Sequence, residues 1–409
     1  MRAFLEVVRL ELKALARSKT VLFLLVASIA WMVAFPHLVR GDGTLEGARE
    51  LDVHFSLGGV FALLVVSLLA SATGSLARER AEKRLQLTLV RPVRRFALVL
   101  GKTLAHVAVG AFVLAVSCGV LAARVDLATP CSHVLAPVLP PARESAERMY
   151  AIYMASTNTP ERVRAAPKAA VLRLLENKEI DRYETIPTNG VARWTFASPG
   201  DAVRVRFTNT FETRQNVCGV FRSGAASLAV SNSTQAVVTI PFRGEAGELS
   251  FENRGVHALM LRPRRDVNVL VRADSFAWNL LRAYATLVAI LALVVSFGLL
   301  LGAGLGRPVA VFVAFVTLAV GEMSPSIVEQ YPDELDPKAS DQLGLVITRF
   351  AASVTRPISA ASPLESLAKN ECVEPANVRA LCLANLVAIP LALSLLAALV
   401  LPKKQDDLV

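Results

Sequence analysis

The chain has 409 residues, of which 54% are hydrophobic and only 19% charged, with a mean hydropathy of +0.48. An average soluble domain carries about 25% charged residues, so the composition excludes a soluble globular enzyme and predicts an integral membrane protein with a soluble part. The net charge of +10 sits largely beside apolar runs, as membrane topology demands, and no groove-reading motif accompanies it; nucleic acid is not an expected partner.

Residues 1–20 predict an amphipathic helix lying in the membrane interface. Phe4, Val8, Leu12 and Leu15 recur on one face, and Glu6, Arg9, Lys13 and Arg17 occupy the other. Val21–Val39 then forms a first span, since crossing a bilayer takes roughly 20 apolar residues. The stretch before it is too long and amphipathic for a cleaved signal peptide. Arg40–His54 makes a short outer loop and Phe55–Ala77 a second span. Arg78–Lys102 is strongly basic and held between two apolar runs. Lys and Arg accumulate on the cytoplasmic side of short loops, so this stretch is a cytoplasmic loop. Within it Glu82–Leu89 can form a surface helix that Arg91-Pro92 ends. Thr103–Ala123 is the third span.

Residues 124–275 form an extracytoplasmic domain of α+β character. Its first part is helical over 140–180, with Ala142–Met154 and Pro167–Asn177 rich in helix formers. From Tyr183 to 272 the period changes to two, as in Val203, Val205 and Phe207. Val237–Phe242, Glu248–Asn253, Ala258–Leu261 and Val267–Val271 are further short runs between turn signals, the pattern of a β-sandwich. Residues 276–328 supply spans four and five, separated by the Gly304–Pro308 turn. Residues 329–375 form an outer helical hairpin and 376–401 the sixth span, with Pro390 as a kink. Residues 402–409 end in the cytoplasm behind Lys403 and Lys404. The expected fold is thus α-helical with about six transmembrane helices and both termini inside.

Catalytic signals are weak. No GxxxxGK[ST] occurs, so ATP is not bound through a P-loop. No HExxH or clustered cysteine pattern points to a metal. Ser366-Leu367-Ala368-Lys369 matches SxxK but without companion motifs, and reads as a helix face. Gly302, Gly304 and Gly306 read as close helix packing and a tight turn. Cys131, Cys218 and Cys372 fall outside the membrane, where two of the three could form a disulfide. Arg282 and Glu322 lie inside or at the end of apolar runs, where charges mark a pathway or gate, or sit at headgroup level.

Taken in order, these parts resemble the permease subunit of a type-2 ATP-binding-cassette (ABC) transporter. The N-terminal helix is similar to that family's elbow helix. The 78–102 loop resembles its coupling helix: an acidic start at Glu79 or Glu82, a Leu-rich middle at Leu85-Gln86-Leu87, then Pro92-Val93-Arg94-Arg95, closing on Gly101-Lys102. The middle departs from the family, which often has Gly-Thr-Leu where this chain has Lys83-Arg84-Leu85. Arg307-Pro308-Val309-Ala310 is similar to the family's entry into span five.

The resemblance implies ATPase-coupling roles for Glu79, Glu82, Leu85, Leu89, Arg91, Pro92, Arg94, Arg95, Lys102 and Arg307. It also implies a bacterial inner-membrane permease of the exporting kind that is no enzyme itself. It implies a separate ABC ATPase subunit carrying ATP and Mg, a second permease copy as a homodimer, and contact with membrane lipids. The alternative is a membrane-anchored extracytoplasmic binding or sensory protein whose β-domain does the work.

Overall fold

The computed structural model describes residues 2–39, 45–82, 94–156, 164, 168–208, 216–233, 237–241, 247–330 and 363–401. Two units emerge. The first comprises Met1–Thr129, Ser275–Val328 and Gly344–Val409, and the second comprises Pro130–Asp274 with Glu329–Leu343. The main helices in chain order are α1 (Arg2–Ala16), α2 (Lys19–Leu38), α3 (Gly58–Ala81), α4 (Arg95–Ala122), α5 (Ala142–Ala155), α6 (Lys168–Ile180), α7 (Phe276–Gly304), α8 (Arg307–Gln330), α9 (Pro375–Cys382) and α10 (Ile389–Val400).

The first unit is helical and apolar. Among the described residues, five stretches are long and apolar enough to cross a membrane: Val21–Leu38, Gly47–Ala81, Arg95–Ala122, Phe276–Gly304 and Pro375–Val400. The expected fifth span coincides with α8, whose apolar part, Arg307–Ala319, falls short of that length among the described residues. At the start of α2, Ser18 accepts a hydrogen bond from the Val21 amide at 3.3 Å, filling one of the amides a helix leaves unpaired.

Helical structure extends beyond the apolar runs. Leu45–Glu50 is already helical, and Leu51–Leu57 forms a π-helical segment before α3. The expected outer loop through His54 is therefore shorter. The basic loop shrinks from both sides as well, because Arg78–Ala81 complete α3 and Arg95–Lys102 open α4. Backbone hydrogen bonding carries each helix past its lipid-facing part, where hydropathy no longer marks it. The last long helix also changes form, from α9 through a π segment at Leu383–Ala388 into α10. Pro390 sits one residue into α10, where the wide turn before it relieves the clash that a proline ring makes with the preceding turn.

The α3, α4 and α7 helices share one apolar core that includes Leu64, Leu68, Leu114, Leu287 and Leu291. Two glycines set how closely α3 and α7 approach. A Cβ at Gly298 would meet Thr73 Oγ1 at 3.0 Å, and one at Gly302 would meet the Thr73 carbonyl oxygen at 2.3 Å. Gly298 and Gly302 are four apart, the small-residue spacing that lets membrane helices touch backbone to backbone. Away from the Lys102 end, Arg124 donates to the Met32 carbonyl at 2.7 Å and pairs with Asp52 at 3.2 Å, tying α2, α4 and the segment before α3. The Asn279 side chain donates to the Glu371 carbonyl and accepts from the Val373 amide, both at 2.8 Å.

The second unit is rich in strand. Its strands are β1 (Pro130–Leu135), β2 (Glu184–Ile186), β3 (Val191–Thr195), β4 (Ala202–Arg206), β5 (Asn216–Ser223), β6 (Ala226–Ser233), β7 (Val237–Pro241), β8 (Glu248–Asn253), β9 (Leu259–Leu261) and β10 (Val267–Ser275). One sheet runs β1-β10-β4-β7, a second runs β3-β8-β5-β6, and β2 pairs with β9. Both four-stranded sheets feed one core. Val203, Val205 and Val269 from the first meet Trp194, Phe221 and Phe251 from the second. β5 and β6 form a hairpin through Gly224-Ala225, with Gly224 at φ 54°, a value that glycine adopts without strain. The α5 and α6 helices pack on each other through Ala146, Val171 and Leu175. Cys218 is a free thiol.

Candidate functional site

The first unit holds a charged cluster at the ends of the helices that carry the basic loop. Lys102 lies in the second turn of α4 with its side chain 2% exposed. A buried ammonium is stable only when paired and hydrogen-bonded. Its Nζ donates to Glu79 Oε1 at 2.8 Å, to Glu11 Oε2 at 3.0 Å and to Ser75 Oγ at 3.0 Å, using all three of its protons. Ser75 in turn donates to Glu11 Oε1 at 3.3 Å. Three helices meet here: Glu11 comes from α1, Ser75 and Glu79 from α3, and Lys102 from α4.

Helix periodicity explains the alignment. Ser71, Ser75 and Glu79 are spaced by four on α3, and Lys102 and His106 by four on α4, so each set lies along one face. The two faces run antiparallel, so His106 meets Ser71 where Lys102 meets Ser75. His106 Nδ1 lies 2.9 Å from the Lys102 carbonyl and Nε2 lies 3.4 Å from Ser71 Oγ. A carbonyl can only accept, so Nδ1 carries the proton toward it. Gly101 adds the third condition. A Cβ there would stand 2.8 Å from Val7 Cγ1, so its absence lets α1 lie against α4 beside Lys102. Thus the Gly101-Lys102 pair has a physical reading: the glycine admits α1 and the lysine binds it.

Just beyond the cluster, the end of α3 and the α7–α8 turn line a cavity of ≈ 540 Å³ with Arg78, Arg80, Glu82, Gly306, Arg307 and Pro308. Arg80 donates to the Ala303 carbonyl at 2.7 Å, and Arg95 to the Leu401 carbonyl at 3.0 Å. These bonds satisfy carbonyls at the ends of α7 and α10, as cations at helix C-termini do. Arg307 lies against α3: a Cβ on Gly74 would stand 3.3 Å from its Nε.

The residues singled out from sequence divide accordingly. Glu79 and Lys102 are drawn into the buried cluster and do not face solvent together. Glu82 and Arg94 are exposed at the two roots of the loop, and Arg307 is exposed beside Glu82. Leu85, Leu89, Arg91 and Pro92 lie outside the described residues, as does any surface helix at 82–89 beyond its first residue. Arg282 is half-buried in α7. Glu322 belongs to α8, with its side chain outside the described residues. Lys369 pairs with Glu365 at 2.5 Å, in keeping with a helix face at 366–369, and it holds the Glu365 carboxyl below its usual range. Sequence reasoning missed Glu11, Ser71, Ser75 and His106. The signal for the α3 and α4 members was present as polar residues four apart at the ends of apolar runs. Glu11 had no such signal, because its partner is 91 residues away. Among the described residues, no cluster of three or more His, Cys, Asp or Glu could hold a metal.

Apolar helices in series, interrupted by a β-rich insertion and ending in a buried charge cluster, define an α-helical, multi-pass membrane protein. Residues 7–175 match the family described as ABC-2 family transporter protein, and over that stretch the resemblance to type-2 ABC permeases holds. The match reaches further into the insertion than the motifs suggested, taking in α5 and most of α6. The Arg307–Ala310 entry and the C-terminal tail lie beyond it. No curated protein and no solved structure matches the chain.

Proposed function

We propose that this chain is the membrane-spanning permease subunit of an ABC exporter, driven by a separate ATPase subunit that binds ATP and Mg. The observation that carries the reading is the Lys102 cluster. One buried ammonium clamps the end of α3 and the start of α4, the two roots of the 82–94 loop, to the N-terminal amphipathic helix. A partner that displaces this loop moves three helices as one body. The exposed Glu82, Arg94 and Arg307 are the contacts we assign to the ATPase, with Leu85, Leu89, Arg91 and Pro92 of the basic loop.

On this reading the Lys102 end is cytoplasmic, α1 is an elbow helix, the β-rich insertion is an extracytoplasmic sandwich, and the chain works as a homodimer in a bacterial inner membrane. Exposed Leu22, Phe23 and Val26 on α2 and Leu395 and Leu399 on α10 then face lipid or the second copy. The chain itself performs no catalysis.

The test is reconstitution with a candidate ABC ATPase subunit. Glu82→Ala with Arg94→Ala is expected to abolish ATPase docking while membrane insertion is retained. Wild-type rates of transport-coupled ATP hydrolysis in that double variant would remove the loop from the mechanism. Purification in mild detergent without any co-purifying ATPase would defeat the reading as a whole.

A further inference from the structure

A second polar feature lies in the last apolar helix, a turn or two from α9. Asn385 occupies the π segment Leu383–Ala388 and is 1% exposed, and its Nδ2 has no hydrogen-bond partner among the described residues. An unpaired buried donor is costly, and at membrane depth no bulk water relieves it. Single π turns inside α-helices occur frequently at functional sites. Asn385 also lines a cavity of ≈ 590 Å³ together with Thr286 of α7, Asn377, Val378, Leu381 and Ile389.

Ser366 and Cys372 also line the wall, and two of its polar side chains have partners. The Thr286 hydroxyl donates to the Arg282 carbonyl at 3.0 Å, and Asn377 Nδ2 donates to Glu374 Oε2 at 2.8 Å. What remains is a mixed wall, aliphatic at Val373, Val378, Leu381 and Ile389, with the unpartnered Asn385 amide nitrogen and a carboxylate, that of Glu374, on the same cavity. The volume suits a small-molecule ligand. The donor calls for an acceptor oxygen, and the carboxylate disfavours an anion.

We propose that this cavity binds a neutral amphiphile, an acyl body bearing an ester or amide carbonyl whose oxygen accepts from Asn385 Nδ2. Every group used belongs to this chain, so the proposal stands apart from the ATPase reading. A bilayer lipid and a transported amphiphile share this chemistry, and the experiment separates them.

The full chain is reconstituted in phosphatidylcholine nanodiscs doped with a monoacylglycerol carrying a diazirine in its acyl chain, irradiated, digested and mapped by mass spectrometry. Label is expected to concentrate on residues 373–389. Asn385→Leu, close in size but without the donor, is expected to lower it there roughly three- to tenfold, the value of one neutral hydrogen bond. Ala384→Phe keeps Asn385 and fills the cavity, and is expected to lower it as well. It serves if the first variant fails to fold, as judged by thermal unfolding. Displacement of the label by unlabelled monoacylglycerol alone supports a selected amphiphile, and equal displacement by added phosphatidylcholine supports a bilayer lipid. Label spread evenly over the exposed face at Leu383, Leu386 and Leu391, and unchanged by both variants, overturns the site.

Discussion

Lys102 is held by two carboxylates and one hydroxyl, so its partners are not equivalent to it. Removing the ammonium by Lys102→Met leaves Glu11 and Glu79 close together with nothing between them. Breaking a buried pair in this way costs on the order of 3–5 kcal/mol. Glu11→Gln leaves Lys102 paired with Glu79 and is expected to cost about 1.5–3 kcal/mol, the range for one hydrogen bond to a charged group. Thermal unfolding of the purified variants should rank them in that order, and equal losses would show that the three groups do not share one proton donor. Gly101 acts by absence. Gly101→Ala is expected to lift α1 from α4 and expose it to protease, and Val7→Ala on the same chain should restore the contact, because the obstructing atom is a Val7 methyl. Failure of that rescue would place the effect elsewhere.

At the scale of elements, α3 and α7 are joined through glycines whose tolerance should be graded. Gly302→Ala would put a methyl 2.3 Å from the Thr73 carbonyl oxygen, a backbone atom that cannot turn aside. Overpacking of this kind costs about 1–3 kcal/mol. Gly304→Ala meets only a Val400 methyl at 3.2 Å, and Gly306→Ala meets nothing within 4 Å. Folded yield in detergent should therefore fall steeply for the first, slightly for the second and not at all for the third. A flat series would mean that this seam does not limit assembly.

The apolar runs behind α2, α3, α4 and α7 were legible because twenty residues of hydropathy leave few alternatives. So were α5 and α6, and the strands with clean alternation, such as β4 and β10. The strands β5 and β6 were less so. β5 buries Val220 and Phe221 in succession on both faces, which erases the period of two. The two π segments left no compositional trace, since lipid asks the same apolar residues of an α and a π turn; only Pro390 hinted at one of them. β1 was missed because a six-residue strand after a membrane helix, with His133 and Ser132 in it, carries too little pattern to register.

At the scale of the whole molecule, function divides between what is buried and what is presented. The family resemblance placed Glu79, Glu82, Arg94, Lys102 and Arg307 in one ATPase-coupling class, the first four from the basic loop and the last from the turn before span five. Burial separates them: the first and fourth hold helices together, and the others remain available to a partner. That difference yields opposite expectations. Lys102→Met should lower thermal stability in the isolated subunit, with no ATPase present. Glu82→Ala with Arg94→Ala should leave stability unchanged and appear only as lost docking. A docking defect accompanied by an equal loss of stability in the double variant would erase the distinction.

The clamp is built from the helix ends that flank the loop. Its anchoring residues, Glu11, Ser75, Glu79 and Lys102, all come before Glu82 or after Arg94, so no part of residues 83–93 is needed to close it. The segment between those two positions is therefore interchangeable in principle, like a fitting on a fixed mount. A different sequence of similar length, set between the same two helix ends, would inherit the mount and bring its own partner. Chimeras cut at Glu82 and Arg94 should keep the melting temperature of the parent while exchanging which ATPase they hold, whereas cuts made inside the helices, between Ser75 and Glu79 or between Arg95 and Lys102, should lose both.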